Sequence, residues 1–281
     1  MSLSRSVSQG FTLVELIMVI VVLTIIATAT SSYLGVGAKM YAEASDRDRL
    51  LSQSRFALER LTRELRSALP NSVRIHTSTT QKCVEFTPVL VATRYASLPL
   101  LSAQPDLQLF GLTEQWADLE LYKSRYAAEG LRVYVYATDS TQIYQALEIS
   151  PGVFFALDSD DPYGIEALSE GFDISLNFSS SAWFSRSSPS KRLYIVRQPV
   201  TFCVQSSGQL RRYSHYGFSS TTPAFSSGVL MAEGLNFNLS AFSVDEAVLN
   251  RSSVVHLNLT FSSSFGDELF FNQEVHVPNV P

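Results

Sequence analysis

The feature that most constrains this chain is a run of apolar residues from Phe11 to Thr30 that carries one carboxylate, Glu15, five residues after Gly10. Twenty residues rising ~1.5 Å each make a helix of ~30 Å, the thickness of a bilayer's hydrocarbon core. A carboxylate at mid-membrane costs ~2.5–3.5 kcal/mol, and somewhat less near a helix end that reaches the headgroups. Glu15 therefore asks for a partner. The flanks are nearly uncharged: Arg5 precedes the run, and Ser31, Ser32, Tyr33 and then Lys39 follow it. This weak asymmetry favours a cytoplasmic start.

Three fates fit such a segment. A conventional signal peptide would be cut near Ala27-Thr28-Ala29, a small-x-small site. A plain anchor would stay uncut. A short leader, residues 1–10, would be removed between Gly10 and Phe11 and the apolar segment kept. The third alone gives Glu15 a partner, because the cut frees an ammonium at Phe11 at the same membrane level, where low dielectric strengthens the attraction. Gly10 suits it too, since a residue without a side chain lets a protease approach the backbone closely.

The order Gly10-Phe11-Thr12-Leu13-Val14-Glu15-Leu16 resembles the amino-terminal signature of type IV pilins and pseudopilins. The resemblance implies cleavage by prepilin peptidase after Gly10 and N-methylation of Phe11. It also implies pairing of Glu15 with the Phe11 ammonium of a neighbouring subunit in a fibre. The implied site is the bacterial inner membrane, as a single-pass protein with a periplasmic carboxy-terminal domain, with passage to a pilus tip or cell surface. The implied partners are other minor and major pilins and an inner-membrane assembly platform.

The helix is expected to continue through residues 31–69. Leu51, Ser54, Leu58, Leu61, Leu65 and Leu69 recur at three- and four-residue spacing, one apolar stripe. Glu59 with Arg63 and Arg60 with Glu64 are i,i+4 pairs. Pro70 forbids continuation and Asn71-Ser72 begins a turn. Gly35 and Gly37 weaken the junction by ~1 kcal/mol each. The run Gly35-Val36-Gly37-Ala38-Lys39 is too incomplete for a phosphate-binding loop, and no strand precedes it.

Beyond Pro70 the period changes to two. Leu131, Val133 and Val135 alternate with Arg132, Tyr134 and Tyr136. Ile174-Leu176-Phe178, Leu235-Phe237-Leu239 and Val255-Leu257-Leu259-Phe261 alternate with polar residues in the same way. Each predicts an antiparallel strand with one dry face. Val200–Val204 and Leu210–Tyr213, joined through Gly208, predict a hairpin. A short helix is expected around Thr113 to Tyr126, and loops at Ser185–Ser190 and Gly217–Gly228. The fold class is therefore α+β and pilin-like: a long amino-terminal membrane-spanning helix, then an antiparallel β-sheet globular domain over residues 71–281. The segments Asp46–Leu51, Lys82–Pro88 and Phe202–Val204 are similar to those of large minor pilins of the mannose-sensitive haemagglutinin (MSHA) type. That implies a part in priming or capping a pilus and a link to cell adhesion. A minor pseudopilin of a type II secretion system fits the same residues. A secreted adhesin or hydrolase is the alternative from another class.

Chemistry is sparsely signalled. No G-x-S-x-G or H-E-x-x-H occurs, and no enzyme and no cofactor are expected. The two cysteines, Cys83 and Cys203, are expected to pair in an oxidising compartment, the alternative being two separate buried thiols. The histidines His76, His215, His256 and His276 lie far apart and read as surface residues. Asp158, Asp160 and Asp161 form a weak calcium candidate, because Pro162 breaks the loop spacing and no closing glutamate is in register. A net charge of -5 argues against bulk attraction to nucleic acid. Yet Arg186, Lys191, Arg192, Arg197, Arg211 and Arg212 stand beside Trp183, Tyr194, Tyr213 and Tyr216 in a stretch without acids, either solvated strand faces or a local basic surface.

Overall fold

The structure is a computed structural model that describes residues 10, 12–111, 130–158, 160, 163–168, 171–222, 225, 227–245 and 253–277. It divides into two units, Met1–Arg49 and Leu50–Pro281. One helix, α1 (Leu13–Arg66), supplies the described secondary structure of the first and opens the second.

In the first unit the helix buries nothing. Leu13, Val14, Leu16, Ile17, Met18 and Val19 are all exposed, and together they point to every side of the helix. An apolar surface all round, without cover from its own chain, suits lipid or other helices. The helix runs through Gly35 and Gly37 without a break, and Lys39–Glu43 bridge it one turn further on at 3.7 Å.

In the second unit α1 is one-faced. Leu50, Ser54, Ala57, Leu58, Leu61, Thr62 and Leu65 are buried. The stripe thus begins at Leu50, while Leu51 is only half-buried. The helix ends at Arg66, before Leu69, because Ala68 already bridges to Pro88 and Leu69 donates to the Thr87 carbonyl at 2.8 Å. Arg60 and Glu64 pair as expected, at 3.0 Å. Glu59 and Arg63 form no ion pair among the described residues.

Among the described residues fifteen strands follow, and every pairing between them is antiparallel. The first four are β1 (Arg74–Thr77), β2 (Gln81–Phe86), β3 (Val89–Tyr95) and β4 (Gln104–Gly111). After β5 (Arg132–Tyr134) and a one-turn helix α2 (Ser140–Ile143) come β6 (Phe154–Ala156), β7 (Tyr163–Leu168), β8 (Gly171–Ala182) and β9 (Arg192–Val196). The chain closes with β10 (Val200–Gln205), β11 (Leu210–Tyr213), β12 (Val229–Ala232), β13 (Ala241–Asp245), β14 (Ser253–Ser262) and β15 (Glu268–Val277). They form sheets ordered β1-β2-β10-β11-β12, β6-β5-β9-β3-β4-β8-β7 and β13-β14-β15. The expected helix around Thr113 to Tyr126 lies outside the described residues.

The five- and three-stranded sheets share one core with α1. Leu58, Leu61 and Leu65 pack with Phe86, Val200 and Phe202 from one sheet and with Val255, Leu257 and Phe261 from the other. The seven-stranded sheet has its own core, in which Phe155, Phe178 and Phe184 meet edge to face. On its other side Tyr134, Phe154 and Val196 pack with α2 and Leu69. The expected hairpin is β10–β11, with Val204 opposite Leu210. The alternations at Ile174–Phe178 and Val255–Phe261 lie in β8 and β14, dry side inward.

Two expectations need correction. Tyr134 is not on a wet face: it is buried, donates its hydroxyl to the Ile143 carbonyl at 2.6 Å, and has its pKa pushed by burial up to about 12. Leu235–Leu239 is not a strand but an isolated bridge followed by a turn. The reason is Asn236, whose side-chain oxygen accepts from the Asn238 and Leu239 amides at 3.2 and 3.3 Å and curls the backbone out of the ladder.

Leu61→Ala should cost about 2–5 kcal/mol in urea unfolding of the detergent-solubilised chain, since a fully buried leucine leaves a cavity. Phe56→Ala, at a 54 % exposed position on the same helix, should stay within about 0.5 kcal/mol of the parent.

Candidate assembly segment and its buried supports

The amino-terminal segment starts at Thr12. Its hydroxyl accepts from the Glu15 amide at 3.3 Å and its carbonyl from the Leu16 amide at 3.2 Å. Thr12 is thus the cap of α1, and Glu15 stands in the first turn, at the positive end of the helix dipole. The Thr-x-x-Glu spacing of a capping box was present in the sequence and went unread. Residues 1–9 and Phe11 lie outside the described residues. A Cβ added at Gly10 would meet no atom of the chain within 4 Å, so internal packing does not require this glycine.

The threonine hydroxyls inside the segment are satisfied within the helix. Thr24 donates to the Ile20 carbonyl at 2.7 Å, Thr28 to that of Thr24 at 3.0 Å, and Thr30 to that of Ile26 at 2.8 Å. No water is needed to complete them, which is the condition for entering lipid. An 18-residue stretch of α1 reaches a mean hydropathy of 2.6, with none of it buried in the chain. By length and composition α1 can cross a membrane.

The second unit holds a half-buried carboxylate, Glu64, and a buried one, Glu85, whose partners the sequence does not announce. Glu64 receives Arg60 from its own helix and Arg212 from β11. Arg212 reaches both oxygens, with Nε at 3.1 Å from each and Nη2 at 3.0 Å from Oε2. Arg212 therefore leaves the basic surface expected around it. Tyr213 and Tyr216 leave it too, because both are packed with Phe225 around the cysteines. Of the remaining arginines, Arg192 lies in β9 of the seven-stranded sheet and Arg211 in β11 of the five-stranded one, while Arg186 and Arg197 lie in no strand.

Glu85, on β2, is wholly buried. Arg74 Nε and His76 Nε2 both lie 2.7 Å from Oε2, and the Tyr216 hydroxyl donates to Oε1 at 3.0 Å. Arg74 also donates to the Ser219 carbonyl at 2.7 Å and lies 3.6 Å over the ring of Tyr144. Thr222 meets His76 Nδ1 at 3.0 Å. These contacts tie the loop after β11 onto the β1–β2 hairpin. Burial first, and then the Glu85 charge, push the phenols of Tyr144 and Tyr216 well above their ordinary value. Both oxygens of Glu85 are engaged, an arrangement suited to fixing a loop. His76 is thus not a surface histidine.

Cys83 and Cys203 face each other across β2 and β10 and are joined in a disulfide. It closes a separation of 120 residues and lies fully buried. Asp160 donates its amide to Asp158 Oδ1 at 2.8 Å, a local turn, and Asp161 lies outside the described residues. No group of three metal-ligating side chains occurs among the described residues. His256 sits between Asp245 at 3.3 Å and Glu274 at 3.7 Å, and His276 is exposed.

Residues 5–31 match the family described as the prokaryotic N-terminal methylation motif. No curated protein and no solved structure matches the chain. The matched residues include the Thr12 cap, Glu15 and the exposed apolar face. The chain thus carries the prepilin-type signal of pilin-like and pseudopilin-like proteins ahead of an α+β architecture.

Glu85→Ala should destabilise the fold by about 3–5 kcal/mol in urea, because Arg74 and Tyr216 are left buried without their acceptor. A second outcome concerns alkali. With folded pKa values raised above 10.0, the folded state holds protons that the unfolded chain releases. The stability due to Tyr144 and Tyr216 is complete below pH 10 and declines above it. Tyrosinate absorbance followed with pH should therefore show these two phenols ionising only as the chain unfolds.

Proposed function

We propose that this chain is a minor pilin that primes or caps a type IV pilus of the MSHA type. Prepilin peptidase cuts between Gly10 and Phe11, and Phe11 is N-methylated. The retained helix packs against the helices of other minor and major pilins, first in the inner membrane at the assembly platform and then in the fibre. The Glu15 carboxylate meets the Phe11 ammonium of a neighbour. The β-rich unit stays on the periplasmic side until extrusion, and the buried Cys83–Cys203 pair fits that oxidising compartment. On this reading the chain has no catalytic role: the work is helix packing and one charge pairing.

The observation that carries the reading is the exposed apolar helix with Glu15 in its first turn, inside the matched methylation motif. A minor pseudopilin of a type II secretion system shares every one of these features, and the neighbouring genes separate the two. A secreted adhesin or hydrolase with a conventional signal peptide accounts for neither the capped carboxylate nor the motif.

Amino-terminal sequencing of the mature protein should begin at a methylated Phe11. A start near Thr30, or an intact leader on the functional protein, would sink the proposal. Glu15→Ala should insert into the membrane as the parent does and fail to support piliation. Normal piliation in that variant would remove the charge pairing from the account.

A further inference from the structure

The outermost strand of the three-stranded sheet, β15, is ten residues long and is bonded along its whole length to β14 alone. Its other edge meets no strand among the described residues. Edge strands of this length are ordinarily blunted by lysine, proline or a bulge. The sequence ELFFNQEVHV has neither residue, and its register with β14 runs unbroken from Glu268 to Val277. Beside this edge, on the core side, lies a groove of about 650 Å³ lined by Arg55, Leu58, Glu59, Thr62, Arg63 and Arg66 of α1 and Gln273 of β15.

The charge of the groove is lopsided. Arg55, Arg63 and Arg66 are exposed and form no ion pair among the described residues, and the one carboxylate beside them, Glu59, is likewise unpaired. Among the less exposed cations of the unit, Arg60, Arg74 and Arg212 each have a carboxylate within 3.1 Å, while Lys82 and Arg132 are met by backbone carbonyls. In a chain of net charge -5, three unneutralised guanidiniums along one helix flank are a local excess. Last-turn arginines also suit the helix dipole, but that reason does not reach Arg55, three turns earlier.

We propose that the open edge of β15 takes up an extended acidic segment of a partner protein as a fourth strand, with alternate carboxylates directed at Arg55, Arg63 and Arg66. Backbone pairing supplies affinity, and the inward side chains supply selectivity. An added strand lies ~4.8 Å beyond β15. Its inward side chains would therefore stand over the groove, across from the α1 flank. Inward positions recur every ~6.8 Å along a strand, so two carboxylates four residues apart span ~13.6 Å. Arg55 and Arg63 are ~12 Å apart along the helix axis. The inference goes beyond the pilin reading and does not depend on it, because neither leader cleavage nor a fibre is required.

The probe is a capped decapeptide that alternates glutamate with valine, added to the detergent-solubilised full chain. Binding should be seen by fluorescence anisotropy, and amides of residues 268–277 should gain protection from hydrogen exchange. The triple variant Arg55→Ala, Arg63→Ala, Arg66→Ala should bind about tenfold more weakly or worse, with an unchanged Tm, since all three side chains are exposed. Three results would each overturn the proposal. One is equal binding of the lysine-for-glutamate peptide, of a peptide N-methylated at alternate amides, or of a single-stranded oligonucleotide. Another is an absence of peptide binding or of β15 protection. The last is a dimer of the chain that protects β15 without any peptide, which would make a second copy the occupant.

Discussion

Two of the three sheets in the second unit lean on one stripe of α1. Two sheets that share no hydrogen-bonded strand, β1-β2-β10-β11-β12 and β13-β14-β15, direct their dry faces at the same few side chains, Leu58, Leu61 and Leu65 among them. Each sheet alone would expose a half-core. Their common cover is the helix, so its burial is worth more than a peripheral helix of equal length. The same helix has no cover over its first turns, where Leu13 to Ile26 are exposed. A stripe gives way to an all-round apolar surface, and this division sets the two jobs apart. One part completes a fold; the other has to find its partner outside the chain.

The charges follow a comparable division of labour. No acidic residue lies between Ile174 and Ala232, yet that stretch is not simply a basic surface. Its Arg212 is neutralised by Glu64 of the helix, and its Tyr216 donates to Glu85 of β2. Acids from the first third of the chain, Glu64 half-buried and Glu85 buried, thus meet donors from the last third, across separations of 148 and 131 residues. Buried pairs of this kind add little net stability over well-packed apolar residues, but a misregistered strand would strand a charge. The Cys83–Cys203 bond lies on β2 and β10, next to the same Glu85 cluster. Covalent and ionic constraints converge on one strand pair.

What could be read from the sequence was whatever periodicity alone dictates. Leu58, Leu61 and Leu65 follow the helical repeat, Val255 to Phe261 the strand repeat, and Gly208 allows the turn of the β10–β11 hairpin with its φ of 80°. Competing physics hid the rest. The alternation of Leu235, Phe237 and Leu239 was real, but the Asn236 side chain offered the backbone a turn. Tyr134 looked wet by parity because nothing local announces that α2 covers the second face of β5. Glu85 is one glutamate in an ordinary strand pattern, and only the fold brings Arg74, His76 and Tyr216 to it. The methylation motif was legible in the apolar run that carries Glu15, because a carboxylate in a membrane-length run is conspicuous. The Thr12 cap was equally present, at a spacing that could have been recognised.

That cap bears on why Glu15 needs anything further. A carboxylate in the first turn of a helix gains about 0.3–1 kcal/mol from the dipole, and up to ~2 kcal/mol in favourable partly buried geometry. Placing it at bilayer depth costs ~2.5–3.5 kcal/mol at the centre. The helix's own amino-terminal end therefore offsets part of the cost and leaves a remainder. Thr12 already serves the Glu15 amide, so the carboxylate oxygens are not committed to capping through that bond. In the proposed fibre the remainder is met by a cation that exists only after cleavage, the amino group of a neighbouring Phe11. On the proposed reading the deficit persists before processing, and a neighbouring subunit's Phe11 ammonium offsets it afterwards, so the same charge that burdens the inserted helix favours assembly.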